Sequence, residues 1–250
     1  MAEYDFDVLP TNVPEWELGE VKLKLMQWNL DQHSVVKRFR ISCRFDPNDE
    51  ITFLRSFFES PVVRAHISLP STLGSSLDML EFQRLRTSIT SLSFFDKLEN
   101  ESDLVSTGGY LRKCMDEVYD HCTVSECLRE MMANPESEYC HLFTPDEQKE
   151  LIYQIFKRLV IGGAMCQPDD KLEPYLEITK RIYKALAAVR KLPDAQPPLE
   201  VYSYAYLLTC NAKGNFGFFP KDSPFNSLIV AVDPKKQSVQ CWYCPFVPFW

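Results

Sequence analysis

Between residues 144 and 208 the spacing of apolar residues changes from helical to strand-like, so helices and strands must pack on a shared core. In "TPDEQKELIYQIFKRLVIGG" Thr144 precedes Pro145, and Glu147 follows three residues on. A hydroxyl and a carboxylate at this spacing each satisfy an orphan amide of a helix N-terminus. Ile152, Ile155, Phe156 and Leu159 then share one helical face, which Gly162 and Gly163 end. A second helix is predicted from Leu172 to Lys191, with Tyr175, Ile178, Ile182, Leu186 and Val189 on one face. After the proline-rich "LPDAQPPL" the period becomes two in "VYSYAYLL" at 201–208. A hairpin is predicted in "SLIVAVDPKKQSVQCWY", with Pro234 in its turn. Mixed helices and strands, then a helical hairpin at about 145–191, then a β-rich C-terminal region make an α+β fold.

The rest of the chain fits one domain over 16–244, after an irregular segment 1–15 and before an aromatic tail 245–250. The prolines near 193–199 mark where it could be subdivided. "PEWELGEVKLKLMQWNL" sets Leu18, Val21, Leu25 and Trp28 on one helical face. "RFRISCRF" alternates as a strand, and a helix is predicted around Ile51, Leu54 and Phe58, closed by Pro61. Residues 62–69 and 85–93 read as strands, and 94–132 as short helices broken at "TGG" and "HCT".

The loop "GGAMC" raises the possibility of a phosphate cradle or a reactive thiol. A phosphate cradle follows a strand and opens a helix, so that free amides face the anion. Here the glycines follow a helix, and no Lys-Ser/Thr ending is present. Gly162 and Gly163 are therefore read as the structural hinge of the helical hairpin.

Other candidate chemistry is sparse. "CWYC" has redox or half-zinc spacing in Cys241 and Cys244, yet no helix and no second such pair follows. Cys114, His121, Cys122, Cys127, Cys140 and His141 are dense but lack the paired spacing of a zinc site. None of His33, His66, His121 and His141 precedes an acid by two residues, and neither Gly-x-Ser-x-Gly nor His-Glu-x-x-His occurs. Asp169 and Asp170 read as helix-capping acids. No catalytic residue, cofactor or metal is expected.

Composition narrows the partners. A net charge of -8, with basic residues scattered, disfavours nucleic acid. The acidic opening "MAEYDFDVLP" does not resemble a leader, and no window nears the roughly 20 apolar residues of a membrane span. A cytoplasmic chain with protein partners is expected, its nine cysteines mostly buried thiols. Two candidate contact surfaces stand out. Tyr202, Tyr204 and Tyr206 share a strand face that is either core or contact, and Phe246, Phe249 and Trp250 end the chain in a tail that tucks in or docks on a partner.

The segment 156–191, with "LKLMQW" near the start, "SLSFFDKL" at 91–98 and "LIVAVDP" at 228–234, resembles the cilia- and flagella-associated protein 300 family of dynein axonemal assembly factors. The likeness runs from about residue 16 to about residue 243. It implies a cytoplasmic and ciliary protein, not an enzyme, needed to build outer and inner dynein arms. Its partners would be other dynein assembly factors and axonemal dynein subunits, with intraflagellar transport machinery as a further class. The alternatives are a thiol- or zinc-dependent cytosolic enzyme and a permanent axonemal structural component.

Overall fold

The computed structural model describes residues 4–10, 13–70, 80–192, 199–208 and 217–248. Its centre is a six-stranded sheet. Strands β1 (Phe6–Val8), β2 (Val35–Ile41), β3 (Gln83–Leu85), β8 (Tyr204–Leu208), β9 (Ser227–Asp233) and β10 (Ser238–Cys244) lie in the order β1-β2-β10-β9-β8-β3. All neighbours pair antiparallel.

Both faces of this sheet are covered, which explains the unbroken apolar run of β9. Leu228, Val230 and Val232 face one hydrophobic cluster, while Ile229 and Ala231 face another. The adjoining β10 divides likewise: Val239, Cys241 and Tyr243 on the first side, Trp242 and Cys244 on the second.

The first side is closed by α3 (Glu50–Glu59) and α4 (Pro61–Ile67), whose Phe53, Phe57, Phe58 and Val63 are fully buried. On the second side lie α1 (Pro14–Glu17), α2 (Gly19–Gln27), α5 (Asp96–Glu99), α6 (Cys127–Ala133), α7 (Pro145–Gln148), α8 (Leu151–Ile161) and α9 (Glu173–Leu186). Two small ribbons, β4 (Lys113–Tyr119) with β5 (Cys122–Glu126) and β6 (Val189–Lys191) with β7 (Leu199–Val201), complete an α+β fold.

Several local expectations are corrected. Residues 62–69 are not a strand, and Pro61 opens a helix rather than only closing one. Pro61 holds the first position of α4, and Val63 N–H bonds the Ser60 hydroxyl. Within 85–93 only Leu85 belongs to a strand, and Leu92–Phe95 form a 3₁₀ turn. The stretch 113–126 is a β-ribbon rather than helix, because Asp120 and His121 both take positive φ and close a two-residue turn. The helix begun at Thr144 has its capping box but stops at Gln148, and α8 starts afresh at Leu151. The following α9 ends at Leu186, so Val189 lies on a strand rather than on the helical face. The irregular start contributes β1, an edge strand of the main sheet.

Candidate functional site

The α8–α9 pair packs as a helical hairpin, and the loop between its helices is fitted to the end of α2. Gly162 has φ +64°, and a β-carbon there would lie 2.5 Å from Cys166 Sγ. At Gly163 a β-carbon would meet the Asn29 carbonyl oxygen at 2.2 Å. The amide of Gly163 donates to Trp28 O at 2.8 Å, and that of Met165 to Asn29 Oδ1 at 3.1 Å. The loop is thus stitched to residues more than a hundred positions earlier.

Two buried guanidiniums close the same node. Arg129 donates to the carbonyls of Ile161 and Thr123 and to Cys122 Sγ, while Arg158 donates to the carbonyls of Phe225 and Gly162. Both carry positive charge to the C-terminal end of α8, where unpaired carbonyls gather. Sequence reasoning missed them, since an arginine on an apolar helix stripe reads as surface.

Beyond the loop, Asp169 does not cap α9. Its carboxylate takes Trp28 Nε1–H at 2.9 Å and Lys24 Nζ at 2.6 Å, and Trp28 stacks on Tyr175 with centroids 4.5 Å apart. This cluster fixes α9 against α2. The outer side of α9 then lines an open cleft of about 1010 Å³, walled by Glu15 of α1 and the Val105–Gly109 loop. Glu173 and Glu177 lie toward one end and Lys180 and Lys184 toward the other, none of them in an ion pair among the described residues. Lys171 beside Glu173, and Glu15 and Glu99 from outside α9, also line it, and a cleft that offers both charges can hold a polypeptide.

The two candidate thiols of "CWYC" cannot act together. Three residues apart on one strand, Cys241 and Cys244 point to opposite faces of the sheet and into different clusters. Burial pushes the Cys241 thiol far up, and Cys244 Sγ accepts from the Ser34 hydroxyl at 3.0 Å. The denser set is spread over β4, the 120–121 turn, β5, the start of α6 and the Cys140–Leu142 turn. Cys114 and Cys127 do meet, but burial raises Cys114 to about 11, and Cys127 is raised by burial as well. Such thiols are poor nucleophiles at neutral pH. Among the described residues no group of three or more His, Cys, Asp or Glu is placed to hold a metal ion.

The aromatic candidates separate. Tyr206 is fully buried and donates to Glu50, so it is core rather than contact surface. Tyr202 and Tyr204 are half-buried beneath Lys235 and Arg84. In the tail, Phe246 is buried against Phe225, and its amide donates to Asn226 Oδ1, so the tail tucks in at this point. Phe249 and Trp250 lie outside the described residues.

A family model described as Cilia- and flagella-associated protein 300 matches residues 3–244. The chain belongs to that family. It is 36% identical over 182 residues to Cilia- and flagella-associated protein 300 of Chlamydomonas reinhardtii, covering 71% of this chain and 70% of the relative. With the Paramecium tetraurelia protein of the same name it shares 31% over 219 residues, 86% of this chain and 83% of the relative. No solved structure matches. A cilia- and flagella-associated protein 300 is thus, by family, associated with cilia and flagella, and the α9 cleft lies within the matched residues. No described helix of this family member is long and apolar enough to cross a membrane.

Proposed function

We propose that this member of the family is a non-enzymatic factor for the assembly of outer and inner axonemal dynein arms. It acts in the cytoplasm and during delivery to the cilium, through contacts with dynein subunits or with other assembly factors. The observation that carries this reading is the open cleft along α9, lined by side chains of both charges, of which Glu173, Glu177, Lys180 and Lys184 are in no ion pair among the described residues. The family's ciliary association and the separation of Cys241 from Cys244 across the sheet add to it.

The test is electron microscopy of axoneme cross-sections from motile cells lacking the gene, with blotting of dynein heavy chains in the cytosol. Missing outer and inner arms, with the protein itself mainly soluble in normal cells, are expected. Intact arms, or a protein extracted only together with the doublets, would favour a permanent axonemal component instead. Re-expression of a Lys180→Glu, Lys184→Glu double variant addresses the cleft, and failure to restore the arms is the expected result.

A further inference from the structure

The ribbon of β4 and β5 is lopsided. Strand β5 buries Cys122, Val124 and Glu126, whereas β4 is exposed along nearly its whole length. Met115 and Val118 of β4, at 84% and 66% exposed, are the two most exposed large apolar side chains among the described residues. No described strand pairs with the other edge of β4.

Ladder geometry says which groups this edge offers. Tyr119 and Cys122 flank the two-residue turn and exchange bonds with each other, so the amide and carbonyl of Val118 point away from β5. Among the described residues neither group has a backbone partner. The register shift between Lys113 and Glu117 turns the Met115 stretch out of the ladder. A two-stranded ribbon is only marginally stable alone, and an open edge is a template for a further strand.

Charge selects the occupant. Asp116 and Glu117 are exposed on β4 and form no ion pair among the described residues, while Lys113 is engaged by Glu126 and Asp170. A second copy paired antiparallel through β4 would set these acids against each other, which is unfavourable. We infer that the free edge of β4 receives an extended segment of a partner protein in which apolar and basic residues alternate, adding it as a third strand. On the outward face of the ribbon its apolar side chains cover Val118, and on the other face its basic ones meet Glu117. The inference rests on the reading of the chain as a protein-binding factor and gives that reading a second surface, away from the α9 cleft.

The test uses the purified full chain with short synthetic peptides of alternating valine and lysine, or alternating valine and glutamate. The valine–lysine peptide should bind, weaken with added salt and slow hydrogen exchange across 115–119. Val118→Pro removes the outward amide together with the valine side chain, and Glu117→Gln removes the charge that the basic residues meet. Each should lower affinity about tenfold or more with the circular dichroism unchanged, roughly 1.4 kcal/mol. Equal binding of the valine–glutamate peptide, protection elsewhere in the chain, unaltered binding by both variants, or no binding at all would overturn the inference. So would a dimer in sedimentation that Val118→Pro dissociates, because a second copy would then be the occupant. Peptide binding is read without cells, so its failure is distinct from the finding of intact arms in cells lacking the gene.

Discussion

The Trp28 indole donates to the Asp169 carboxylate at 2.9 Å across 141 positions of sequence, and Lys24 closes on the other oxygen at 2.6 Å. Removing the carboxylate strands a buried N–H and a partly buried ammonium. Asp169→Ala should therefore cost about 2 kcal/mol in urea unfolding. Combined with Trp28→Phe, the two losses should fall short of additivity, because they share one bond.

Gly163→Ala should be more damaging than its size suggests. A β-carbon 2.2 Å from the Asn29 carbonyl forces the loop off the end of α2. A loss of about 3 kcal/mol is expected in thermal melts. A melt unchanged by this substitution would mean that the loop does not sit on Asn29.

The capping box gives a pH signature. Burial works against ionisation of Glu147, but Lys97 and the Thr144 amide prevail and hold its carboxyl below the usual range. A depressed folded-state pKa means stability that is present above the unfolded value and lost as pH falls through the folded one. Thr144→Ala should cost about 1 kcal/mol at neutral pH. Glu147→Gln should flatten the acid limb of the stability curve below about pH 4.5.

Lys157 carries the opposite sign. Burial chiefly, and the neighbouring Arg158, lower its pKa, so the charged form is penalised in the folded chain. That penalty is fully present below the folded pKa and fades as pH rises toward the ordinary lysine range. Lys157→Met should raise the melting temperature at neutral pH and give a smaller gain in alkaline buffer.

Cys241 and Cys244 should not form a disulfide in the folded protein. After mild oxidation and alkylation, mass spectrometry should find no bond between them. Cys241→Ser, which buries a hydroxyl without a partner, should cost about 1–3 kcal/mol. Cys241→Ala should keep function to the extent that it folds, and a loss of arm assembly in a well-folded Cys241→Ala protein would revive thiol chemistry.

Strong periodicity and punctuation were legible. The α8–α9 hairpin, the β9–β10 hairpin and the α2 face of Val21, Leu25 and Trp28 follow from spacing alone. The helix at 61–67 was also within reach, because Ser60-Pro61 is a helix start that the β-branched Val62 and Val63 obscured. The end of α9 carried no signal: Ala187 and Ala188 suit a helix, and only tertiary pairing of Val189–Lys191 with Leu199–Val201 stops it. Buried Arg129 and Arg158 were illegible for a related reason, since their partners are backbone carbonyls that only the fold brings together. As for the site, the charges of α9 were visible in sequence, but the wall opposite them was not.

The order of the main sheet also bears on how this chain is made. Strand β10 lies between β2 and β9, so β2 has no neighbour on that side until residues 238–244 have been translated, about 200 positions later. The nascent chain keeps the phenylalanines of α3 and one open edge of β2 without their final cover until β10 is made. A premature stop anywhere before residue 238 removes a central strand rather than trimming an edge. Truncating alleles should therefore behave as complete nulls, cleared by proteolysis rather than leaving a partly active fragment.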